Sequence, residues 1–522
     1  MFKTNTLFFS LIFVCSVVDT TAQIDGDNIF STNQVITIEL EFPQADYWDQ
    51  LVDNYQADDN NYITAALSLT DVTGTYSWDS VGVRFKGNSS YNHPNNKKSF
   101  KIDFNEFVSG QNYDGLKKLN FSNGFKDPSC IREKIFFDVC RDVGVPSPRA
   151  SFSNVFFNGE LLGFYTVIEQ IDDQFLDWRI LDDDGNLFKA GDNFGGGMGG
   201  GNAAADLVDY GLDPLIYIDR YELKTNEQEN DWSDLISFID FLNHSSDEEL
   251  TNTLSLKLEL NEYLRSASLD MLFSNLDSYT GSARNYYIYH NLTTDKWEWI
   301  KWDGNEAFGS YSNQAGDMIS LAVNYCDDNR PLLQRIFDNE ALYNQYLIEV
   351  CDLIDNYFNE DYMHSYIDEM YELVRNHVYA DNNKMFSDND FDTNINSNLS
   401  IIGGGGGSTN YGLKPFITDR VAYILSQINC SSGSQDEFTD SFSVHPNPSN
   451  DIFNIVFNSN NKQDIDLSVQ NVLGEVIFSE SLNNFNGDFK KSVDLSQHSN
   501  AIYILQLNTK DGIINKKLVL EK

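Results

Sequence analysis

The chain has 522 residues, with 79 acidic and 35 basic side chains and a net charge of −44. This length allows roughly two to four domains, and a hydrophobic content of 41% excludes a chain that is disordered throughout. The charge also disfavours a nucleic-acid partner, because a phosphate backbone would be repelled over most of the surface.

Residues 1–22 have the pattern of a secretory signal peptide. Lys3 precedes the apolar run Leu7–Val14, which is too short to span a bilayer, and Ala22 offers a cleavage site. A lipid anchor on Cys15 is disfavoured by the bulky Val14 before it. No later stretch is long and apolar enough for a membrane helix. We therefore expect an exported chain without a transmembrane segment.

The predicted elements define an α+β fold. Alternating apolar and polar residues predict strands between Gln34 and Phe104, and an amphipathic helix is predicted over Arg132–Asp142. A hairpin with an Asn158-Gly159 turn follows. The later predicted elements are helices between Trp232 and Leu276, a hairpin made of NYYIYHN and KWEWIKWD, and long helices over Pro331–Tyr357 and Asp361–Asn376. The sequence thus predicts a β-rich N-terminal half and a helical half that contains one buried hairpin.

Two glycine runs, Gly195–Gly201 and Gly403–Gly407, interrupt this pattern. The first contains GxGxxG spacing, but any near-pure glycine run contains it, and no strand of the βαβ type leads into it. We interpret this run as a flexible insertion.

The C-terminal part changes character after a predicted linker over residues 431–440. Residues 441–522 contain short strands separated by turns, which predicts a small β-sandwich. This part resembles the C-terminal sorting domain of the type IX secretion system of Bacteroidota. The matching segments are Pro446-Asn447-Pro448, Asn471-Val472-Leu473-Gly474, Asp494-Leu495-Ser496, Ile502-Tyr503 and Lys516-Lys517. The resemblance implies the type IX secretion machinery as a partner, and a location outside the cell or on its outer surface.

A basic segment, free of Asp and Glu, carries Arg84, Lys86, Lys97, Lys98 and Lys101. We interpret it as two strands joined by a turn at residues 87–90, where Ser89 and the backbone N–H groups could approach phosphate oxygens. Neighbouring Lys97 and Lys98 would point to opposite faces of a strand, so only one could enter a site. The segment fits either an anion site or a solvated edge strand.

Glu169 ends an otherwise apolar strand, Phe164–Ile168. A buried carboxylate is costly without a cation beside it. A lysine of the basic segment would satisfy it, and kinases hold nucleotide phosphates with such a Lys–Glu pair. The alternative is an exposed glutamate at a strand end.

Asp277, Asn285 and Asp303 flank the second predicted hairpin. Because a hairpin returns the chain to its start, these three side chains can converge, as the catalytic Asp, the Asn and the metal-binding Asp of protein kinases do. Paired carboxylates also suit glycoside hydrolysis, with Trp297, Trp299 and Trp302 as an aromatic groove. The simplest alternative is a buried hairpin with a capping Asp.

Other polar segments allow less specific interpretations. The Asp- and Asn-rich stretches Asp182–Asn186 and Asp388–Asp392 are candidates for Ca²⁺ binding or for solvated turns. Beyond the predicted signal peptide the chain has five cysteines and no CxxC pair, which disfavours a zinc site and leaves the disulfide pairing open.

The chain from about Val35 to Asn429 resembles the kinase-like family of spore coat protein H (CotH). The segments that carry the resemblance are Lys86–Ser90, Lys97–Phe100, Asp127–Ser129 with Arg132, Asn158–Glu160, Gly163–Tyr165, Glu169–Asp172, Asn285–Tyr287, Trp302-Asp303 and Ala307–Gly309. The resemblance implies an atypical protein-kinase-like fold of two lobes over residues 30–430. It also implies that ATP is bound with Mg²⁺ or Mn²⁺ and that a protein is phosphorylated.

The resemblance also implies roles for individual residues. Lys97 or Lys98, with Lys86 and Ser89, would bind the nucleotide, and Glu169 would pair with the lysine. Asp277 would be the base, and Asp303 would bind the metal with Asn285. The family often has Arg at the position of Lys86 and a second acidic residue at that of Asn305.

Three functions follow from these observations. The first is a secreted or surface kinase that transfers the γ-phosphoryl group of ATP to Ser, Thr or Tyr of a protein. The second is a surface adhesion or structural protein of the same fold without catalysis. The third is a carbohydrate-active enzyme.

Overall fold

The computed structural model describes residues 24–57, 61–191, 204–312, 315–403, 406–430, 442–447, 449, 451–471, 476–499, 501–509 and 512–520. The predicted signal peptide, the first glycine run and the predicted linker over 431–440 lie outside these residues, as do residues 404–405 of the second run. Residues 1–427 and 428–522 form two compact units, which are described separately.

The first unit begins with seven strands that form a closed barrel. The strands are β1 (Val35–Glu41), β2 (Ile63–Asp71), β3 (Gly74–Phe85), β4 (Phe100–Asp103), β5 (Lys118–Ser122), β6 (Ala150–Phe157) and β7 (Glu160–Glu169). Their order around the barrel is β1-β2-β3-β4-β5-β7-β6, and the parallel pair β1–β6 closes it. The predicted β-rich N-terminal half is therefore confirmed.

Alternation along the strands fills the barrel. In β3, β4 and β5 the inward side chains Val83, Phe85, Phe100, Leu119 and Phe121 are buried in one apolar cluster. The predicted turn between β6 and β7 is present, with φ of 48° at Asn158 and 80° at Gly159, values that suit a two-residue hairpin turn.

The connection between β3 and β4 differs from the prediction. β3 ends at Phe85 and β4 begins only at Phe100, and a 3₁₀ turn over Ser89–Asn92 lies between them. Lys97 and Lys98 therefore precede β4 and are not on a strand, so strand alternation does not decide where their side chains point.

A second sheet has the order β11-β10-β8-β9. Its strands are β8 (Leu187–Ala190), β9 (Tyr221–Leu223), β10 (Tyr286–Asn291) and β11 (Lys296–Lys301), and a separate pair is β12 (Leu399–Gly403) with β13 (Gly406–Asn410). β10 and β11 form the predicted second hairpin.

Helices surround these sheets. The first seven are α1 (Asp27–Phe30), α2 (Tyr47–Ala57), α3 (Arg132–Asp142), α4 (Asp173–Arg179), α5 (Pro214–Ile218), α6 (Ser233–His244) and α7 (Asp247–Lys257). The later ones are α8 (Leu260–Leu272), α9 (Pro331–Asp338), α10 (Glu340–Asn356), α11 (Glu360–Ala380), α12 (Asp388–Asn396) and α13 (Leu413–Gln427). α3 has the predicted bounds. The helix predicted over Pro331–Tyr357 is divided at Asn339, whose side chain accepts a hydrogen bond from Leu342 N at 3.1 Å and caps α10.

The second unit contains the strands β14 (Ser443–His445), β15 (Ile452–Asn471), β16 (Val476–Asp494), β17 (Ala501–Thr509) and β18 (Gly512–Leu520). The predicted strands are present, but among the described residues they belong to one hydrogen-bonded sheet and not to two. Register shifts after Ser459 divide the β15–β16 pairing. Both segments of β15 supply the apolar core, through Phe453 and Phe457 before the shifts and Leu467 after them.

Two further expectations from the sequence can be compared with the structure. Within the residues described, no helix has the length and the apolar character that crossing a bilayer requires. Among the described cysteines, Cys130, Cys140 and Cys326 are free thiols.

The side chain of Arg132, at the start of α3, is fully buried. It donates to Asp127 Oδ1 at 3.1 Å and to Ala307 O at 3.3 Å. It also donates to Asn394 Oδ1 at 2.7 Å and to Asn410 Oδ1 at 2.6 Å. One guanidinium thus joins α3 to α12, to β13 and to the chain that follows Asp303.

Replacing Arg132 by Met should lower the free energy of unfolding of the first unit by about 3–5 kcal/mol, because the buried Asp127 carboxylate loses its cation. All seven tryptophans lie within the first unit, so tryptophan fluorescence during urea unfolding reports on this unit. Lys117→Met, at an exposed position, is the matched control and should leave the midpoint unchanged. A wild-type midpoint for Arg132→Met would contradict the prediction.

Candidate functional site

The outward face of β3, β4 and β5 is basic. Arg84 lies near the end of β3, and Lys86 follows directly after that strand. Lys101 of β4 pairs with Arg84. Lys118 begins β5. Because side chains two residues apart on a strand share a face, these four cations point away from the barrel core.

The second sheet faces this basic surface. Tyr287 of β10 pairs with Lys189 of β8, and Lys189 pairs with Glu222 of β9, so the three side chains form a row on one face. Lys224 follows β9 and forms an ion pair with Glu222, with Nζ and Oε1 2.8 Å apart. Charge interactions of Lys189 with Lys86, and of Lys224 with Lys101, place the two surfaces next to each other. We call the region between them the cleft.

Lys101 lies at the centre of this cluster of cations. Burial holds its pKa well below the usual value, and the positive charges of Arg84, Lys86, Lys118 and Lys224 lower it further. Glu222 and Asp172 border the cluster. Within the described part of the chain, however, Lys101 has no ion-pair partner of its own. Such an excess of positive charge fits an anionic ligand.

Lys86 lies where the cations meet two carboxylates. Its Nζ donates to Asn120 Oδ1 at 3.2 Å and lies 5.2 Å from the centre of the Trp302 ring. Burial lowers the pKa of Lys86 to about 8, against the opposing effect of Asp303 and Glu133. Burial and the charge of Asp303 raise the pKa of Glu133, which lies on α3. Lys86, directly after β3, and Glu133 on α3 thus interact across the cleft.

Asp277 and Asn285 are in direct contact, as predicted. Asn285 Nδ2 donates to Asp277 Oδ2 at 3.0 Å and to Asp277 O at 2.8 Å. Ser282 Oγ donates to Asp277 Oδ1 at 2.8 Å. Two hydrogen bonds to the carboxylate and one to the backbone carbonyl therefore fix the position of Asp277 at the entry to β10.

The strand ends at the site have unusual backbone conformations. Asn285 and Asp303 have φ values of 59° and 55°, in the left-handed region that costs non-glycine residues about 1–3 kcal/mol and that occurs often at functional sites. Asp303 directly precedes a turn in which Ala307 N donates to Gly304 O at 3.1 Å. Asp277 acts electrostatically on Glu306 in this turn, so Asp277 lies near the turn that follows Asp303.

The ion pair predicted between Glu169 and Lys97 or Lys98 is not formed. Glu169 is buried, but its cation is Arg149, with Nη2 and Oε1 2.5 Å apart, and Trp178 Nε1 also donates to it at 3.0 Å. Arg149 directly precedes β6, and its carbonyl accepts a hydrogen bond from Glu169 N at 3.0 Å, so the two residues are neighbours at the end of the β6–β7 hairpin.

The two neighbouring lysines, Lys97 and Lys98, stabilise the loop that contains them. Lys97 Nζ lies 2.8 Å from Asp381 Oδ2, and both side chains are almost fully buried, at 2% and 1% exposure. Lys98 Nζ donates to the carbonyls of Tyr91 and His93 at 2.7 and 2.8 Å. The side chain of Ser89 is exposed on the 3₁₀ turn, and its predicted role in nucleotide binding stays a prediction.

Other predicted features are engaged in protein contacts. Asp182 Oδ2 accepts a hydrogen bond from Thr293 N at 3.0 Å, and Ser387 with Asp390 forms a capping box at the start of α12. Both contacts are typical of turns and helix ends. Trp297 and Trp299 are buried, and Trp299 stacks on Tyr286 with ring centres 4.2 Å apart. The predicted aromatic groove is therefore wrong at these two positions.

Sequence reasoning missed Glu133, Lys189 and Lys224. Glu133 is one of six charged residues in α3, so nothing in the local pattern distinguishes it as the carboxylate that acts on Lys86. Lys189 and Lys224 lie at short strands with no distinctive pattern, so only the pairing of β8, β9 and β10 reveals that they enter the cleft.

Replacing Lys97 by Met should destabilise the first unit by about 3–5 kcal/mol, because Asp381 would remain buried without its cation. The double variant with Asp381→Asn should be less destabilised than the two single variants together, as a double-mutant cycle in urea would show. A double variant that is destabilised by the full sum of the two single effects would contradict the pairing of Lys97 with Asp381.

Both units are similar to known protein families. The family described as CotH kinase protein matches residues 83–401, more than half of the chain. The chain is also 27% identical over 288 residues to the inner spore coat protein H of Bacillus subtilis (strain 168), an alignment that spans 55% of this chain and 74% of the relative. Residues 443–521 match the secretion system C-terminal sorting domain, which points to type IX secretion and to the cell surface. The chain belongs to the CotH kinase protein family.

Proposed function

We propose that the chain is an exported phosphotransferase that moves the γ-phosphoryl group of ATP to a Ser, Thr or Tyr hydroxyl of a protein. The barrel and the helical part would act as two kinase-like lobes, and the cleft between the barrel and the second sheet would hold the nucleotide. The family and the sorting domain support this proposal at the level of a kinase-like surface protein.

The observation that carries the proposal is the charge distribution of the cleft. In a chain with a net charge of −44, six basic side chains form one connected set of interacting charges: Arg84, Lys86, Lys101, Lys118, Lys189 and Lys224. A triphosphate supplies the negative charge that such a cluster of lysines would neutralise.

In this proposal, the residues that bind the phosphates differ from those predicted from the sequence. Lys86 and Lys101 replace Lys97 and Lys98 as the phosphate-binding lysines, because their side chains enter the cleft. Glu133 replaces Glu169 as the partner of the lysine, because Glu133 lies on α3 and acts on Lys86. This strand-and-helix arrangement corresponds to the Lys and Glu of protein kinases.

A divalent metal also fits the donor set of the site. Asp303 supplies a carboxylate next to Lys86, and Asn285 supplies an amide next to Asp277. Oxygen donors of this kind are those that Mg²⁺ and Mn²⁺ prefer. When bound, the metal would neutralise phosphate charge.

The remaining chemistry belongs to the chain itself. Asp277, fixed by Ser282 and Asn285, would orient the acceptor hydroxyl and accept its proton. Lys86 and Lys101 would hold the phosphates in position, and Glu133 would hold Lys86. Catalysis would then depend on positioning and charge stabilisation, as is general for phosphoryl transfer.

The second candidate is a surface protein of the same fold that does not transfer phosphate. Asn305 favours it, because this position offers a neutral amide where the family often has a second acid, and a site that needs two metals would be weakened. Binding of nucleotide without transfer would support this candidate.

The test is nucleotide binding and transfer by the purified mature chain with Mn²⁺ or Mg²⁺. Lys86→Met should weaken ATP binding by about tenfold to a hundredfold, the loss of one charge-assisted contact. Asp303→Asn and Asp277→Asn should abolish transfer of labelled phosphate to casein, a generic acceptor. Asp277→Asn should still bind ATP, since Asp277 is proposed to act on the acceptor.

The matched control is Lys296→Met. Lys296 is a half-buried lysine of β11 whose Nζ pairs with Glu259 at 3.0 Å, outside the set of cleft cations. It should bind ATP as the wild type does. Equal ATP affinity for Lys86→Met and Lys296→Met would sink the proposed nucleotide site.

A further inference from the structure

Glu306 is a buried carboxylate whose two oxygens have different surroundings. Its side chain is only 6% exposed, and Oε1 lies 2.7 Å from Lys126 Nζ. Oε2 is buried and has no hydrogen-bond partner in the part of the chain that the structure describes. Buried charged atoms are normally paired or bound to a metal, so we expect this carboxylate oxygen to contact a cation.

The two basic side chains that act on Glu306, Lys126 and Arg132, do not form a hydrogen bond with Oε2. Lys126 contacts Oε1, and its own side chain is 42% exposed, so solvent weakens this ion pair. The guanidinium of Arg132 is occupied by Asp127, by two asparagine side chains and by backbone carbonyls. Asp277 is the other charged group that acts on Glu306, and it is a second carboxylate.

The backbone around Glu306 is held firmly. Ala307 O accepts from Arg132 Nη1 at 3.3 Å, and the turn over 304–307 is closed by its own hydrogen bond. Gly304 packs so closely on α3 that an added Cβ would lie 2.3 Å from the Phe136 ring. Glu306 is therefore presented from a fixed turn that begins directly after Asp303, and fixed carboxylates make good metal ligands.

We propose that Glu306 is a metal ligand of this site, with Oε2 taking the divalent cation and Lys126 orienting the carboxylate through Oε1. This inference rests on the proposed function, since the cation is the one that the phosphotransferase would use. Within the turn Asn305 offers only an amide, so Glu306 provides the second carboxylate after Asp303. A ligating carboxylate whose other oxygen accepts a hydrogen bond is a common arrangement.

The test is a titration of the purified mature chain with Mn²⁺ in the absence of nucleotide, in which electron paramagnetic resonance measures free Mn²⁺. Glu306→Gln keeps the shape of the side chain and should weaken Mn²⁺ binding by about tenfold to a hundredfold. Glu349→Gln is the matched control, because Glu349 pairs with Arg265 at 2.6 Å and should bind Mn²⁺ as the wild type does.

Lys126→Met separates metal binding from a purely structural role. It breaks the same ion pair as Glu306→Gln but leaves the carboxylate, so it should keep or tighten Mn²⁺ binding. If both variants weakened Mn²⁺ binding equally, the ion pair would be structural and the inference would be wrong.

Asp303→Asn separates the inference from the proposed function. If Asp303→Asn weakens Mn²⁺ binding and Glu306→Gln does not, the inference fails while the proposed metal site stands. If the wild type binds no Mn²⁺ with or without ATP, both fail.

Discussion

The buried guanidinium of Arg132 is the constraint on which the site depends. It fixes the start of α3 through Asp127 and the turn after Asp303 through Ala307. Glu133 follows Arg132 directly, so the same contacts that hold the helix also set where Glu133 enters the cleft. A charge buried this completely is stable only when all its donors are satisfied. The local geometry of the site is therefore tied to the stability of the first unit.

The basic segment shows how chemically similar residues take different roles. Lys97 pairs with Asp381 and Lys98 caps two carbonyls, which fixes the long connection between β3 and β4. Lys86 and Lys101 lie on the outward face and enter the cleft. Lys97 and Lys98 stabilise the loop that leads to Lys101 on β4, so the segment combines a structural role with the ligand-binding role that we propose.

Local patterns in the sequence predicted the local structure well. The bounds of α3, the turn at Asn158-Gly159 and the contact of Asp277 with Asn285 follow from helix periodicity, turn chemistry and hairpin geometry. The partners of buried charges could not be predicted in this way. Asp381 meets Lys97 only because α11 packs beside β7 of the barrel. Such contacts depend on tertiary packing, which periodicity does not specify.

The cleft contains a group of basic side chains next to a group of acidic ones. A strongly acidic chain needs such a local excess of positive charge to bind an anion. Lys101 and Lys189 interact with Lys86, and Lys101 also interacts with Lys224. Asp277 interacts with Glu306, and Lys86 interacts with Asp303, so Lys86 links the basic and the acidic groups. A polyphosphate would enter with its charge toward the lysines, and its far end would reach the carboxylates only with a cation between them. The partial burial of these groups strengthens both effects, since solvent screens them less. Charge order along the cleft, more than any single contact, would thus orient a nucleotide for transfer.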